Sequence, residues 1–89
     1  MAWTVEISES AFRELDKLDP QHARRILKFL LDRVARSEDP RTFGQALQGA
    51  KLGEFWKYRV GDYRVICKIV DERLLVLALR IGHRREIYR

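Results

Sequence analysis

Apolar positions recur along this chain with two periods, and each change of period marks a boundary between elements. Trp3, Val5 and Ile7 alternate with polar residues, the pattern of a short strand with one buried side, and Ser8 and Ser10 follow as helix-capping residues. Ala11, Leu15 and Leu18 then stand at i, i+4 and i+7 with Phe12 beside them, which predicts a first helix. In "LDPQ" the Asp19 side chain is placed to accept from the first free amides of a second helix, with Pro20 at a position where no donor is lost. Ala23, Ile26, Leu27, Leu30, Leu31 and Val34 form the apolar stripe of that helix, with Arg24, Arg25, Lys28, Asp32 and Arg36 elsewhere around it. "SEDP" ends it, because the residue before a proline is pushed out of the α region. A loop containing Phe43, Leu47, Gly49 and Gly53 follows.

The period then becomes two. "EFWKYRVGDYRVICKI", residues 54–69, is two β-rich runs about a Gly61-Asp62 pair, a signal for a tight hairpin turn with positive φ. If Val60 faces Tyr63, then Tyr58 faces Val65 and Trp56 faces Cys67, one continuous apolar side. The other side pairs Arg59 with Arg64, sets Lys57 across from Ile66 and carries Lys68 further along. Like charges directly opposite one another destabilise a sheet by roughly 0.2 to 1 kcal/mol, so the pair suggests an anion between them. Leu74 to Ile81 is apolar on both alternating sets until Arg80, as expected of a strand inside a sheet. The predicted fold is α+β in the order β-α-α-β-β-β, a helical hairpin packed on one face of a mostly antiparallel four-stranded sheet. Its other face is left to Lys57, Arg59 and Arg64, and the tail adds His83, Arg84, Arg85, Tyr88 and Arg89.

Length and charge narrow the function. Residues 1–89 read as a single domain that buries roughly 60 to 65% of its unfolded surface. Eighteen Lys and Arg against 13 Asp and Glu give a net charge of +5, which favours phosphate backbones or an acidic protein as partners. The single cysteine, Cys67, excludes an intramolecular disulfide and falls on the apolar side of its strand, where a buried thiol fits a reducing cytoplasm. "MAWTVEISES" has no basic segment before an apolar one, and no apolar run is long enough to span a bilayer, so a membrane is not an expected partner.

The chemistry narrows in the same way. His22, His83 and Cys67 lack metal-ligand spacing, so no metal is expected, and the glycines match no nucleotide-binding pattern, so no cofactor is implied. No serine or cysteine has a visible base to activate it for acyl transfer. Phosphoryl chemistry on RNA remains, since the 2′-hydroxyl is an internal nucleophile and the enzyme need only align it, stabilise charge on the phosphorus oxygens and move protons. Lys57, Arg59, Arg64 and the basic tail supply the charge; Tyr88 and His83 are candidates for proton transfer.

The spaced residues of "GEFWKYRVGDYRVI", followed by a strand and "GHRREIY", resemble the signature of RelE-type toxins in the RelE/ParE superfamily of bacterial toxin-antitoxin modules. The resemblance covers nearly the whole chain. It implies a RelE-like fold and a ribosome-dependent mRNA endonuclease, acting in the A site of the small subunit without metal and leaving a 2′,3′-cyclic phosphate. It places catalytic groups at Lys57, Arg59, Arg64, Arg84 and Tyr88; from their places along the strands and tail, Lys68, Arg80, His83 and Arg85 are expected to extend the RNA contacts. Arg59 stands where such enzymes can carry a lysine, keeping the charge without an accessible neutral form. The implied partners are the ribosome with its mRNA and a neutralising, RelB-like antitoxin. The alternative is a ParE-like toxin that binds DNA gyrase; fold does not separate the two, and the basic residues with Tyr88 favour the nuclease. A domain that merely binds RNA ranks last, because Trp56, Tyr58 and Tyr63 fall on the predicted core side and leave no exposed aromatic platform.

Overall fold

The computed structural model describes residues 2–47 and 55–85. Strand β1 (Thr4–Ile7) leads into helix α1 (Glu9–Asp16), and α2 (Pro20–Lys28) continues as a π-helical stretch, Phe29–Val34. Strands β2 (Gly44–Ala46), β3 (Phe55–Val60), β4 (Tyr63–Val70) and β5 (Leu75–His83) complete one five-stranded sheet in the order β1-β5-β4-β3-β2. β1 runs parallel to β5 and every other pairing is antiparallel. The α+β class, the element order and the interior place of the last strand agree with expectation.

The strand count is a correction. Gly44–Ala46 pairs with β3 as a fifth strand at the sheet edge, within the stretch expected to be loop. Three residues without a β-branched side chain carry no strand signal; the partner supplies the pairing. Gly44 lies so close over β3 that a Cβ there would meet the Lys57 carbonyl oxygen at 2.8 Å and the Tyr58 ring at 2.9 Å. The loop before it is tied down from beneath, where the buried Tyr58 hydroxyl donates to the Pro40 carbonyl at 2.9 Å.

Helix entry follows the sequence at one end and departs from it at the other. Ser8 caps α1, its hydroxyl accepting from the Ala11 amide at 3.1 Å, whereas the Asp19 side chain makes no cap bond to α2. The Asp19 carbonyl takes the His22 and Ala23 amides instead, and Pro20 initiates the helix.

The core lies between the helices and one face of the sheet, where Ala11, Leu15, Ile26, Leu30 and Val34 meet Tyr58, Val65, Cys67, Val76, Ala78 and Ile81. Two residues of the expected stripes stay outside: Phe12 is 60% exposed and Leu31 53%. The wider π-helical turn accounts for Leu31, since it keeps Leu30 and Val34 inward while rotating their neighbour out. Trp3, buried, fastens β1 to the end of this helix, its amide donating to the Ala35 carbonyl at 2.7 Å and its indole to Glu38 at 3.3 Å.

Between β4 and β5, Leu74 adopts a left-handed conformation (φ 47°, ψ 48°), which costs an L-residue about 1 to 2 kcal/mol. Its amide donates to Asp71, its carbonyl accepts from Thr4, and its side chain packs on the core, which together hold it. Gly44→Ala is expected to destabilise the fold by about 1 to 3 kcal/mol through overpacking against Tyr58; a denaturant melt with an unchanged midpoint would show that β2 simply moves away.

Candidate functional site

The face of the sheet turned away from the helices carries the charge. The β3 and β4 register is as the sequence implies: Trp56 with Cys67, Tyr58 with Val65 and Val60 with Tyr63 on the core side, Lys57 with Ile66 and Arg59 with Arg64 on the other. β5 extends these rows, pairing Arg80 with Ile66 and Gly82 with Arg64. Lys57, Ile66 and Arg80 form one row and Arg59, Arg64 and Gly82 the next, with strands about 4.8 Å apart. Phe55, Lys68 and Leu77 form the row on the far side of Lys57, so Lys68 stands at the margin of the group, beside apolar neighbours.

The third strand enters this group through an irregularity. Cys67 pairs with Ala78 and Ile66 with Arg80, so Leu79 is an extra residue in β5. Without it, the alternation that buries Val76 and Ala78 would send Arg80 into the core and Ile81 out. The bulge reverses the phase: Ile81 is buried and Arg80 joins the open face. It falls where β1 has ended, and side chains take over the strand's role there. The Ser8 hydroxyl donates to the Leu79 carbonyl at 3.3 Å, and one Glu14 oxygen accepts from the Ile81 amide at 2.9 Å while the other takes the Arg80 guanidinium at 3.3 Å.

The tail is anchored to the hairpin, because the Arg84 amide donates to the Asp62 carbonyl at 2.9 Å. Gly61 opens that turn with φ +60°, the conformation glycine adopts freely. Arg84 and Arg85 are exposed beside it, the Arg85 amide donating to His83 Nδ1 at 3.2 Å. His83 belongs to the opposite side of the sheet. It is half-buried at the end of β5, paired with Tyr63, whose ring lies 5.8 Å from it and 5.0 Å from His22. The register therefore sets Lys57, Arg59, Arg64 and Arg80 on one face, with the Arg80 guanidinium drawn to Glu14 at its margin and Arg84 following β5 beside the hairpin turn, and leaves His83 on the other side. Tyr88 lies outside the described residues.

The two facing arginines separate beyond their Cα atoms. Arg64 Nη1 donates to the carbonyls of Tyr63 at 3.0 Å and Gly61 at 3.3 Å, within its own turn. Arg59 lies past the end of the pairing of β3 with β2 and lines a cleft with Arg25, Lys28 and Arg33 of the second helix. These three cations were not among the sequence candidates; their i, i+3, i+8 spacing, which puts them on one helical face, is the signal available for them.

A family profile described as "ParE toxin of type II toxin-antitoxin system, parDE" matches residues 5–88. Toxin RelG of Mycobacterium tuberculosis is 35% identical over 89 residues, an alignment covering 100% of this chain and 99% of that protein. The chain is a RelE-type toxin of the RelE/ParE superfamily. The mRNA interferase toxin RelE of Escherichia coli is 28% identical over 90 residues, covering 99% of this chain and 92% of that one. Among solved structures, the RelBE2 toxin-antitoxin complex of M. tuberculosis superposes with a TM-score of 0.85 at 29% identity, over 97% of this chain and 95% of that one. The archaeal RelE-RelB complex of Pyrococcus horikoshii gives 0.76 at 29% identity, over 97% and 99%. The RelE-type fold thus holds its cations on a rigid sheet, with the β5 bulge and the hairpin turn setting where each one stands.

Buried groups beneath the face are chemically quiet. Burial pushes the Cys67 thiol up to about 12, so it stays protonated at neutral pH. Native protein is expected to be inert to a thiol-specific chromogenic reagent and to react fully once unfolded; rapid labelling of the native state would place Cys67 at an accessible site. Glu14→Ala removes the partner of the Ile81 amide and is expected to cost about 1 to 3 kcal/mol, read as a lowered melting temperature; an unchanged melt would show that the bulge needs no cap.

Proposed function

We propose that this toxin is a ribosome-dependent mRNA endonuclease that cleaves in the A site through the message's own 2′-hydroxyl and so halts translation. The observation that carries this reading is the grouping of Lys57, Arg59 and Arg64 on the open face of the sheet, with the Arg84 amide bound to the hairpin turn beside them. The 2′-oxygen attacks the adjacent phosphorus and gives up its proton; the bond from phosphorus to the 5′-oxygen breaks, and that oxygen takes a proton. The products are a 2′,3′-cyclic phosphate and a 5′-hydroxyl.

Charge accumulates on the non-bridging oxygens along this path, and preorganised guanidinium and ammonium groups stabilise it, each such donor contributing about 10² to 10³ in rate. Arg64 and Arg84 approach from the hairpin turn and the tail, Lys57 and Arg59 from β3. Arg59 acts through charge alone, as a guanidinium does not release its proton. Tyr88 is assigned to proton transfer. A single phenol is a modest catalyst, and the ribosome supplies the alignment of the 2′-hydroxyl.

The E. coli relative's name, mRNA interferase, supports the same chemistry. The complexes of M. tuberculosis and P. horikoshii contain a RelB partner, which supports a cognate, RelB-like antitoxin for this toxin, in the cytoplasm. The ParE description of the family profile favours one second reading, a toxin that binds DNA gyrase. Induction in bacteria with separate pulse-labelling of protein and DNA synthesis separates the two. An immediate translation block is expected; replication arrest with translation intact would replace the nuclease by the gyrase reading.

On programmed ribosomes, cleavage is expected to proceed unchanged in the presence of a chelator that leaves the particles intact, and to be far slower on naked RNA. Arg64→Ala and Arg84→Ala should each lower the single-turnover rate by about 10² or more, with stability within about 0.5 kcal/mol of the parent. Tyr88→Phe should slow the chemical step with ribosome affinity retained. Equal rates on free RNA and on ribosomes, or a wild-type rate in Tyr88→Phe, would defeat this mechanism.

A further inference from the structure

The second helix and the hairpin turn enclose a cleft of about 360 Å³ that stands apart from the open face of the sheet. Arg25, Lys28 and Arg33 line it from the helix and Arg59 from β3. All four are exposed, and among the described residues none of them takes part in an ion pair. Among the described residues of the wall, Asp32 is the single carboxylate. Phe29 and the buried Val60 contribute apolar surface, and the Arg25 guanidinium lies over the turn, its Nη1 2.9 Å from where a Cβ on Gly61 would be.

Four unpaired cations around a small space repel one another, and a folded chain with no ligand for them gains nothing from the arrangement. The sequence contains carboxylates that could have relieved it, and elsewhere does so, as where Arg41 is held by Asp71 through two bonds of 3.0 and 2.7 Å. Planar guanidinium forks beside an ammonium match the oxygens of phosphodiesters. We propose that this cleft is a second RNA-binding site, gripping a phosphodiester backbone outside the reacting centre. Arg59 is common to both places, so one RNA surface running round the edge of β3 touches the cleft and the cationic face together.

An acidic peptide is the rival ligand, and the shape of the surface argues against it. A helical peptide needs an apolar seat, and that feature lies on the other flank of α2, where Phe12, Leu15, Leu18, Ala23 and Leu27 line a separate groove of about 310 Å³. The cleft offers charge around a narrow opening, which suits a phosphate or two.

The proposal rests on the reading of this chain as a toxin of mRNA on the ribosome, and the experiment keeps the two separable. Equilibrium binding of the full-length toxin is measured across a salt series with two probes, a non-cleavable single-stranded oligoribonucleotide and vacant 70S ribosomes. Arg25→Ala combined with Lys28→Ala should weaken binding and make the slope of log affinity against log salt shallower by about 1.4 to 1.8, two contacts at 0.7 to 0.9 each. The charge-matched control, Arg36→Ala combined with Arg73→Ala, should keep the parental slope.

Asp32→Asn, which removes a carboxylate from the cleft wall, should tighten binding, a gain that misfolding does not imitate. A change confined to the ribosome identifies ribosomal RNA as the source of the phosphates, and one shared with the oligonucleotide identifies backbone contact of any RNA; both support the cleft. Parental affinity and slope in the cleft variant overturn the proposal, as does loss of binding to a purified antitoxin with RNA binding intact. A parent that binds RNA through the cleft yet cleaves nothing on ribosomes would sink the nuclease reading and leave the site. A parent that binds neither probe sinks both.

Discussion

One extra residue in β5 decides which way the end of this sheet faces. With Leu79 inserted between Ala78 and Arg80, the last strand buries Val76 and Ala78 before the bulge and Ile81 after it, and delivers Arg80 to the open face. A bulge leaves a strand with an interrupted ladder and a freed amide. Past the bulge another amide, that of Ile81, lies at an edge that β1 no longer covers, and Glu14 reaches from α1 to accept from it. A carboxylate on the helical layer thus stabilises the phase of a strand whose charged residues serve the opposite side. The anchoring of Arg84 to the hairpin carbonyl follows from the same phase, because it is the pairing of His83 with Tyr63 that brings the tail to Asp62.

The charge pattern of the hairpin poses a second constraint. Arg59 and Arg64 face each other across two strands, and the geometry lets them part company: Arg64 folds back on the carbonyls of its own turn, and Arg59 leaves by the edge that β2 is too short to cover. The short strand is therefore part of the electrostatic design. A longer β2 would wall off Arg59 from the second helix and confine both guanidiniums to one face. Beneath them Tyr58 and Cys67 are buried, and burial shifts both hydroxyl and thiol upward, so the layer under the cations carries no charge that would neutralise them.

The sequence was informative wherever a local rule had no competitor. Gly61-Asp62 between alternating runs fixes the hairpin register residue by residue, and with it the division of Trp56, Tyr58 and Val60 from Lys57 and Arg59. Helical spacing found the buried face of both helices. What escaped depends on partners distant in the chain. β2 is a strand because β3 lies beside it; "LVLALR" is apolar on both phases, so its bulge is invisible until Glu14 and β4 select one. Phe12 and Leu31 satisfy the period and are nonetheless outside, since a pattern cannot say where the layer above ends. His83, paired with Tyr63, falls on the core side of the sheet, apart from the open-face cations, as alternation in a strand requires.

The parallel pairing of β1 with β5 joins the first element of the chain to the last. Contacts between distant segments form late, because the whole intervening chain must be available before they reward the closure. During synthesis, β1, α1 and α2 emerge first and have no sheet to cover until the hairpin follows, and β5 emerges after all of them. The cationic face requires β5, and β5 lies against both β1 and β4. A nascent copy therefore exposes its basic hairpin without the third strand beside it, and the working surface assembles only once β5 has emerged.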